Sequence, residues 1–203
     1  MKKIEIIWRE MLYQAIEKKN LGLGEAGRRF IQKDLAEKFG FSTSTVFQAL
    51  KAPRKMGAVR VTGRFFVLED PEKLLYHWAS VRNLKKEIIF SGKIDLPILE
   101  IESQMLPEIV FGGYTAARFI LGEPPADYAK VFVYSQSLGE IKKRFLFQKG
   151  QPNFFVLKAD LFLKNYGEHT CLAQTFVDLW NLDDWYAKEF VNSLKKKIDD
   201  LLS

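Results

Sequence analysis

The chain has 203 residues, 47% of them hydrophobic and 28% charged, with a formal net charge of +6. These values suit one large or two small globular domains and argue against disorder. Charge interrupts every apolar run too early for a bilayer span, and one cysteine (Cys171) with two histidines (His77, His169) excludes an intrachain disulfide, a cysteine-rich zinc cluster or a His-rich metal site.

The first residues, MKKIEIIWREML, open with two lysines, but Glu5, Arg9 and Glu10 interrupt a signal-peptide core, so a cytoplasmic location is expected. Residues 1–84 hold 16 Lys/Arg against 9 Asp/Glu, an excess of +7; residues 85–203 hold 15 against 16, or −1. Basic charge confined to one region is the footprint of a polyanion partner.

In chain order, 3.6-residue spacing of Ile4, Ile7, Trp8, Met11, Leu12, Ala15 and Ile16 predicts a helix over residues 4–17. Lys2, Lys3, Arg9, Lys18 and Lys19 fall off its apolar face. Three glycines in LGLGEAG end it, and Arg29-Phe30-Ile31 reads as the short first strand that pairs with a following two-stranded wing. A second helix is expected over 32–39 with Leu35, Ala36 and Phe39 inward, closed by a left-handed Gly40. Ser42 then caps a third helix over 43–51, with Val46, Ala49 and Leu50 inward. Pro53 is expected to kink or end that helix, because it lacks an N–H and crowds the carbonyl of Ala49. Residues 54–57 read as a turn into two strands, 58–61 and 65–68, with Thr62-Gly63 at the tip between Arg60 and Arg64. Asp70 and Pro71 start a fourth helix that packs through Leu74, Leu75, Trp78 and Val81.

This order, helix–turn–helix followed by a two-stranded wing, is that of a winged helix-turn-helix, and its third helix fits a DNA major groove. Thr43, Ser44, Phe47 and Gln48 are the candidates for base edges, although burial of Phe47 is an equal alternative. Lys51, Arg54, Lys55, Arg60 and Arg64 are the candidates for phosphates or, at the wing, a narrow minor groove.

Beyond residues 83–87 strands and helices alternate: strands at 88–90, 109–111, 130–135 and 154–162, helices over 96–105, after Gly113, over 169–182 and over 184–202. The expected fold class is therefore α+β: a winged helix-turn-helix at 1–84 and a mixed α/β domain at 85–203. The chain resembles predicted regulators of the AbiE-type abortive-infection antitoxin family in DPEKLLYHWA (70–79), in the glycine turn 112–117 and in QTFVDL (174–179). The resemblance implies a C-terminal domain like a degenerate nucleotidyltransferase, repression of the protein's own operon, and a cognate nucleotidyltransferase-like toxin as partner.

Gly112, Gly113 and Thr115 form a strand–glycine–helix turn of the kind that holds a triphosphate. An active nucleotidyltransferase also needs two carboxylates on the following strand to hold Mg²⁺, and residues 130–135 carry none. Asp127, Glu140, Asp160 and Asp178 lack the alternate spacing required. The turn is thus read as structural, or at most as an anion pocket. No catalytic residue, metal ligand or cofactor is assigned, and double-stranded DNA is the expected partner. The rivals are a nucleotidyltransferase with relocated carboxylates and a protein-interaction module. Cys171 reads as core, Lys195-Lys196-Lys197 as a helix-end cluster, and Trp180, Trp185 and Tyr186 as an exposed aromatic patch for a protein partner. The oligomeric state stays open.

Overall fold

The structure, a computed structural model, describes residues 1–18 and 27–203. Most of the LGLGEAG loop, and Lys19, lie outside the described residues. The protein is a mixed α+β chain; among the described residues it has nine α-helices and two sheets. It divides into two compact units, residues 1–82 with 197–203, and residues 83–196. No described helix is long and apolar enough to cross a membrane.

The first unit is built on α1 (Lys3–Ile16), which packs against both α3 (Thr43–Lys55) and α4 (Pro71–Val81). That double cover corrects the expected polar face. Arg9 is fully buried, as are Glu5 and Glu10, because the flank beside the apolar stripe is also covered. Glu5 accepts from Trp78 Nε1 at 3.1 Å and from Arg82 Nη1 at 3.0 Å, so a buried ion pair ties α1 to the end of α4. Val81, expected in the core, is 44% exposed.

Helix α2 (Gln32–Phe39) ends where expected, at Gly40 with φ 60°. The amides of Gly40 and Phe41 donate to the carbonyls of Glu37 and Ala36, the paired bonds of a Schellman stop. A three-stranded antiparallel sheet has the order β1 (Arg29–Phe30), β3 (Phe66–Leu68), β2 (Val59–Val61). Arg29 and Arg60 both stand opposite Val67, one on each side of the central strand.

The second unit is a five-stranded mixed sheet, β5–β6–β8–β4–β7. Its strands are β4 (Ile88–Ile94), β5 (Val110–Gly112), β6 (Val131–Ser135), β7 (Phe147–Gln148) and β8 (Phe154–Lys158). Among its strands β6 and β8 are the parallel pair, and Phe111 of β5 makes an isolated parallel bridge to His169. Every residue of β6 is buried, so both its faces are covered. Val131 and Val133 join a cluster with Ile101 of α5 (Ile98–Ser103) and Ile141 of α7 (Gly139–Arg144). Phe132 and Tyr134 alternate to the other face, where Tyr114 of α6 (Gly113–Leu121) lies 6.0 Å from the Phe132 ring. Helix α8 (Leu172–Trp180) packs on α6 and buries Cys171 at its start.

Two further expectations are corrected. Helix α9 (Ala187–Leu202) runs on past Lys195–Lys197, and its last turn carries no basic residue, so the lysines do not cap its C-terminus. Trp185 (84%) and Trp180 are exposed, but Tyr186 is buried against Tyr114, which breaks the expected aromatic patch.

Candidate nucleic-acid interface

The exposed surface of α3 is fixed at both ends. Ser42 accepts the amide of Thr45 at 3.2 Å and caps its start. The sequence places its far end near Pro53, yet the helix continues to Lys55. Proline removes the hydrogen bond that the carbonyl of Ala49 would otherwise receive. The indole Nε1 of Trp8 donates to that carbonyl at 2.7 Å. A donor from α1 thus satisfies the group that Pro53 leaves open, and the helix gains another turn. Arg54 and Lys55 lie in that last turn, where positive charge suits the helix dipole.

With Val46, Ala49, Leu50 and Pro53 buried, the solvent face holds two rows at helical spacing. One runs Thr43, Phe47, Arg54; the other Ser44, Gln48, Lys51, Lys55; all seven are exposed. Phe47 is 49% exposed, with the Lys51 ammonium 5.5 Å from its ring centre, so it is not the buried core residue of the alternative reading. No acidic residue occurs in α3. Beside it a cavity of about 310 Å³ has Phe47, Leu50 and Val61 as apolar lining and Lys51, Arg54 and Lys55 as cations.

The hairpin places its two arginines differently. Arg64 lies in the exposed turn, which closes through Thr62 N–H to Phe65 O at 2.8 Å. Arg60 is not at the tip. It sits within β2, with Nε 2.5 Å from Glu69 Oε1. Because neighbours in a strand face opposite ways, Val61 lines the cavity beside α3 while Arg60 lines a separate cleft of about 510 Å³ with Arg28, Arg29, Phe65 and Glu69. There the guanidinium carbon of Arg29 lies 3.5 Å from the Phe65 ring centre. The sequence marks Arg29 as part of the short strand that pairs with the wing, and β1 does pair with β3. The order of the sheet, with β3 between β1 and β2, is what puts Arg29 and Arg60 on either side of Val67.

The glycine turn of the second unit has a different character. Gly113 adopts φ 53°, and a Cβ there would meet the Phe132 ring at 2.9 Å; a Cβ on Gly112 would meet Tyr134 at 2.8 Å. Thr115 is fully buried, and its hydroxyl donates to Glu102 Oε1 at 2.7 Å. Glu102 also accepts from Tyr128 OH at 2.7 Å and Arg118 Nη2 at 2.6 Å. Burial, then the hydrogen bond to Glu102 and its charge, push the Tyr128 hydroxyl up to about 12. The Thr115 hydroxyl is taken by Glu102 and the glycines lie against aromatic rings, so this geometry favours the structural reading of the turn.

Of the four carboxylates Asp127, Glu140, Asp160 and Asp178 near the second sheet, Asp178 accepts from Tyr134 OH at 2.5 Å and Glu140 pairs with Lys143 at 2.9 Å. Asp160 accepts the amide of Phe162, and Asp127 is exposed. Glu140 and Asp160 border one cavity of about 380 Å³ beyond the carboxyl ends of β6 and β8. Among the described residues no three of His, Cys, Asp and Glu gather as a metal site. No family model, curated protein or solved structure matches the chain.

Proposed function

We propose that the protein is a sequence-specific DNA-binding regulator with a winged helix-turn-helix in its first unit. One observation carries the reading: α3 has no acidic residue and exposes Thr43, Ser44, Phe47 and Gln48 together with Lys51, Arg54 and Lys55. In the major groove, Gln48 has the donor–acceptor pair that matches adenine, and Phe47 has the apolar edge that meets a thymine methyl. The three cations would neutralise phosphates, and Arg64 at the hairpin turn would reach the flanking backbone or minor groove. The regulator would repress its own operon, and the resemblance of the short motifs supports an antitoxin role with a nucleotidyltransferase-like toxin as partner. The second unit would supply the protein contact or the dimer surface.

The test compares duplex DNA from upstream of the protein's own gene with a scrambled duplex. Wild-type protein is expected to prefer the native duplex by about 100-fold or more, and Gln48→Ala to reduce that preference by about 10-fold, the worth of one good base contact. Equal affinity for both duplexes would contradict sequence-specific regulation at that site.

The cavity bordered by Glu140 and Asp160 supports a second reading, a small-molecule or nucleotide site at the ends of a parallel strand pair, where open α/β sheets often bind ligands. Mg²⁺-dependent transfer from a labelled nucleoside triphosphate would favour it. Inactivity with all four nucleotides would remove its catalytic form.

A further inference from the structure

The cleft on the outer face of the three-stranded sheet lies apart from the groove-facing surface of α3. Register makes it: Arg29 and Arg60 flank Val67 across β3, and Phe65, two residues before Val67, shares that face. Arg28 joins them at the rim. Among the described residues three guanidinium groups thus meet one carboxylate, Glu69. Phe65 stacks against the flat face of the Arg29 guanidinium. Stacking occupies that face and leaves the N–H donors at its edge, the arrangement that suits a phosphate.

From this geometry we infer that the cleft is a second phosphodiester-binding site, which grips the duplex backbone flanking the segment read by α3. The inference rests on the DNA reading above. The hairpin acts as a wall: Val61 faces the α3 side, Arg60 faces the cleft, and Arg64 lies at the turn between them. A backbone crossing that turn meets cations on both sides. Among the described residues the cleft offers guanidinium groups, apolar surface and the carboxylate of Glu69. A grip on phosphates adds affinity without sequence preference. Glu69 opposes the phosphate and holds Arg60, so it sets the strength of the grip.

The experiment measures equilibrium binding of the full chain to two duplexes: the shortest that retains sequence preference, and one about 10 base pairs longer, roughly one helical turn. Arg29→Ala should weaken binding to the longer duplex several-fold and lower its log–log salt slope by about one, with no change in preference over a scrambled duplex. It should leave the shorter duplex unaffected. Glu69→Gln should tighten the longer complex a few-fold, and circular dichroism melting confirms that both variants fold. An unchanged affinity and slope for Arg29→Ala, with wild-type binding intact, would overturn the cleft and spare the DNA reading. Equal losses on both duplexes would overturn the flanking assignment. Saturable binding of free pyrophosphate that Arg29→Ala abolishes, with duplex binding unchanged, would reassign the cleft to a small phosphate ligand. Failure of the wild type to bind any duplex at low salt would sink the DNA reading itself.

Discussion

Helices α3 and α6 both begin at a turn of small residues, the local pattern from which a nucleic-acid or phosphate contact is most readily read. Around α3 the small residues are hydroxyl-bearing, the cap is internal, and the side chains beyond it stay in water. Around α6 the small residues are glycines under the rings of Phe132 and Tyr134, and residues 113–117 are all buried. The amide-rich start of a helix is a generic anion site only where an anion can reach it. At α6 the rings close off the glycines, and Glu102 takes the hydroxyl of Thr115. The neighbours across the sheet, more than the local motif, thus decide which helix start is available for binding.

If the α6 start is a packed structural joint, its disruption should cost stability and little else. Glu102→Ala should have the largest effect, about 3 kcal/mol in urea unfolding, because it leaves Thr115, Tyr128 and part-exposed Arg118 without their acceptor. A loss under about 1 kcal/mol would contradict the closed joint. Gly113→Ala should cost about 2 kcal/mol, from a Cβ at positive φ against the Phe132 ring, while DNA affinity per folded molecule stays at wild type. Trp8→Phe sharpens the other side of the comparison. Removal of the donor to Ala49 leaves a buried carbonyl open and should cost about 1–2 kcal/mol. Amide exchange around Pro53 should quicken more than exchange in α2.

The smallest effect concerns pH. The Tyr128 hydroxyl ionises more readily in the unfolded chain, near the ordinary tyrosine value of about 10, than in the fold, where it is pushed up to about 12. Its contribution is therefore complete below the unfolded value and disappears as pH rises through the folded one. Tyr128→Phe should flatten the fall of stability between these values relative to wild type. An identical alkaline fall in both proteins would show that Tyr128 is not held by Glu102.

The sequence was most legible where the signal was local. The span of α2, the left-handed Gly40, the Ser42 cap and the Asp70-Pro71 start each depend on a few adjacent residues, and each lies where its chemistry placed it. It was least legible where a distant partner decides. Pro53 is tolerated because Trp8, 41 residues away from Ala49, supplies the missing donor. Arg9 is interior because α1 is covered by two helices, while a periodicity argument allows for one buried face. The exposed face of α3 could be read from helical spacing, whereas the Arg29–Arg60 pairing required the order of strands in the sheet.

The most direct measurement is the salt dependence of duplex binding for wild type and for Lys51→Ala/Arg54→Ala. Both side chains are exposed on α3, so the melting temperature should move little, whereas the log–log slope should fall by close to two, about 0.9 for each phosphate no longer neutralised. A slope and affinity equal to wild type would show that the α3 surface does not touch the duplex, and would contradict the central claim.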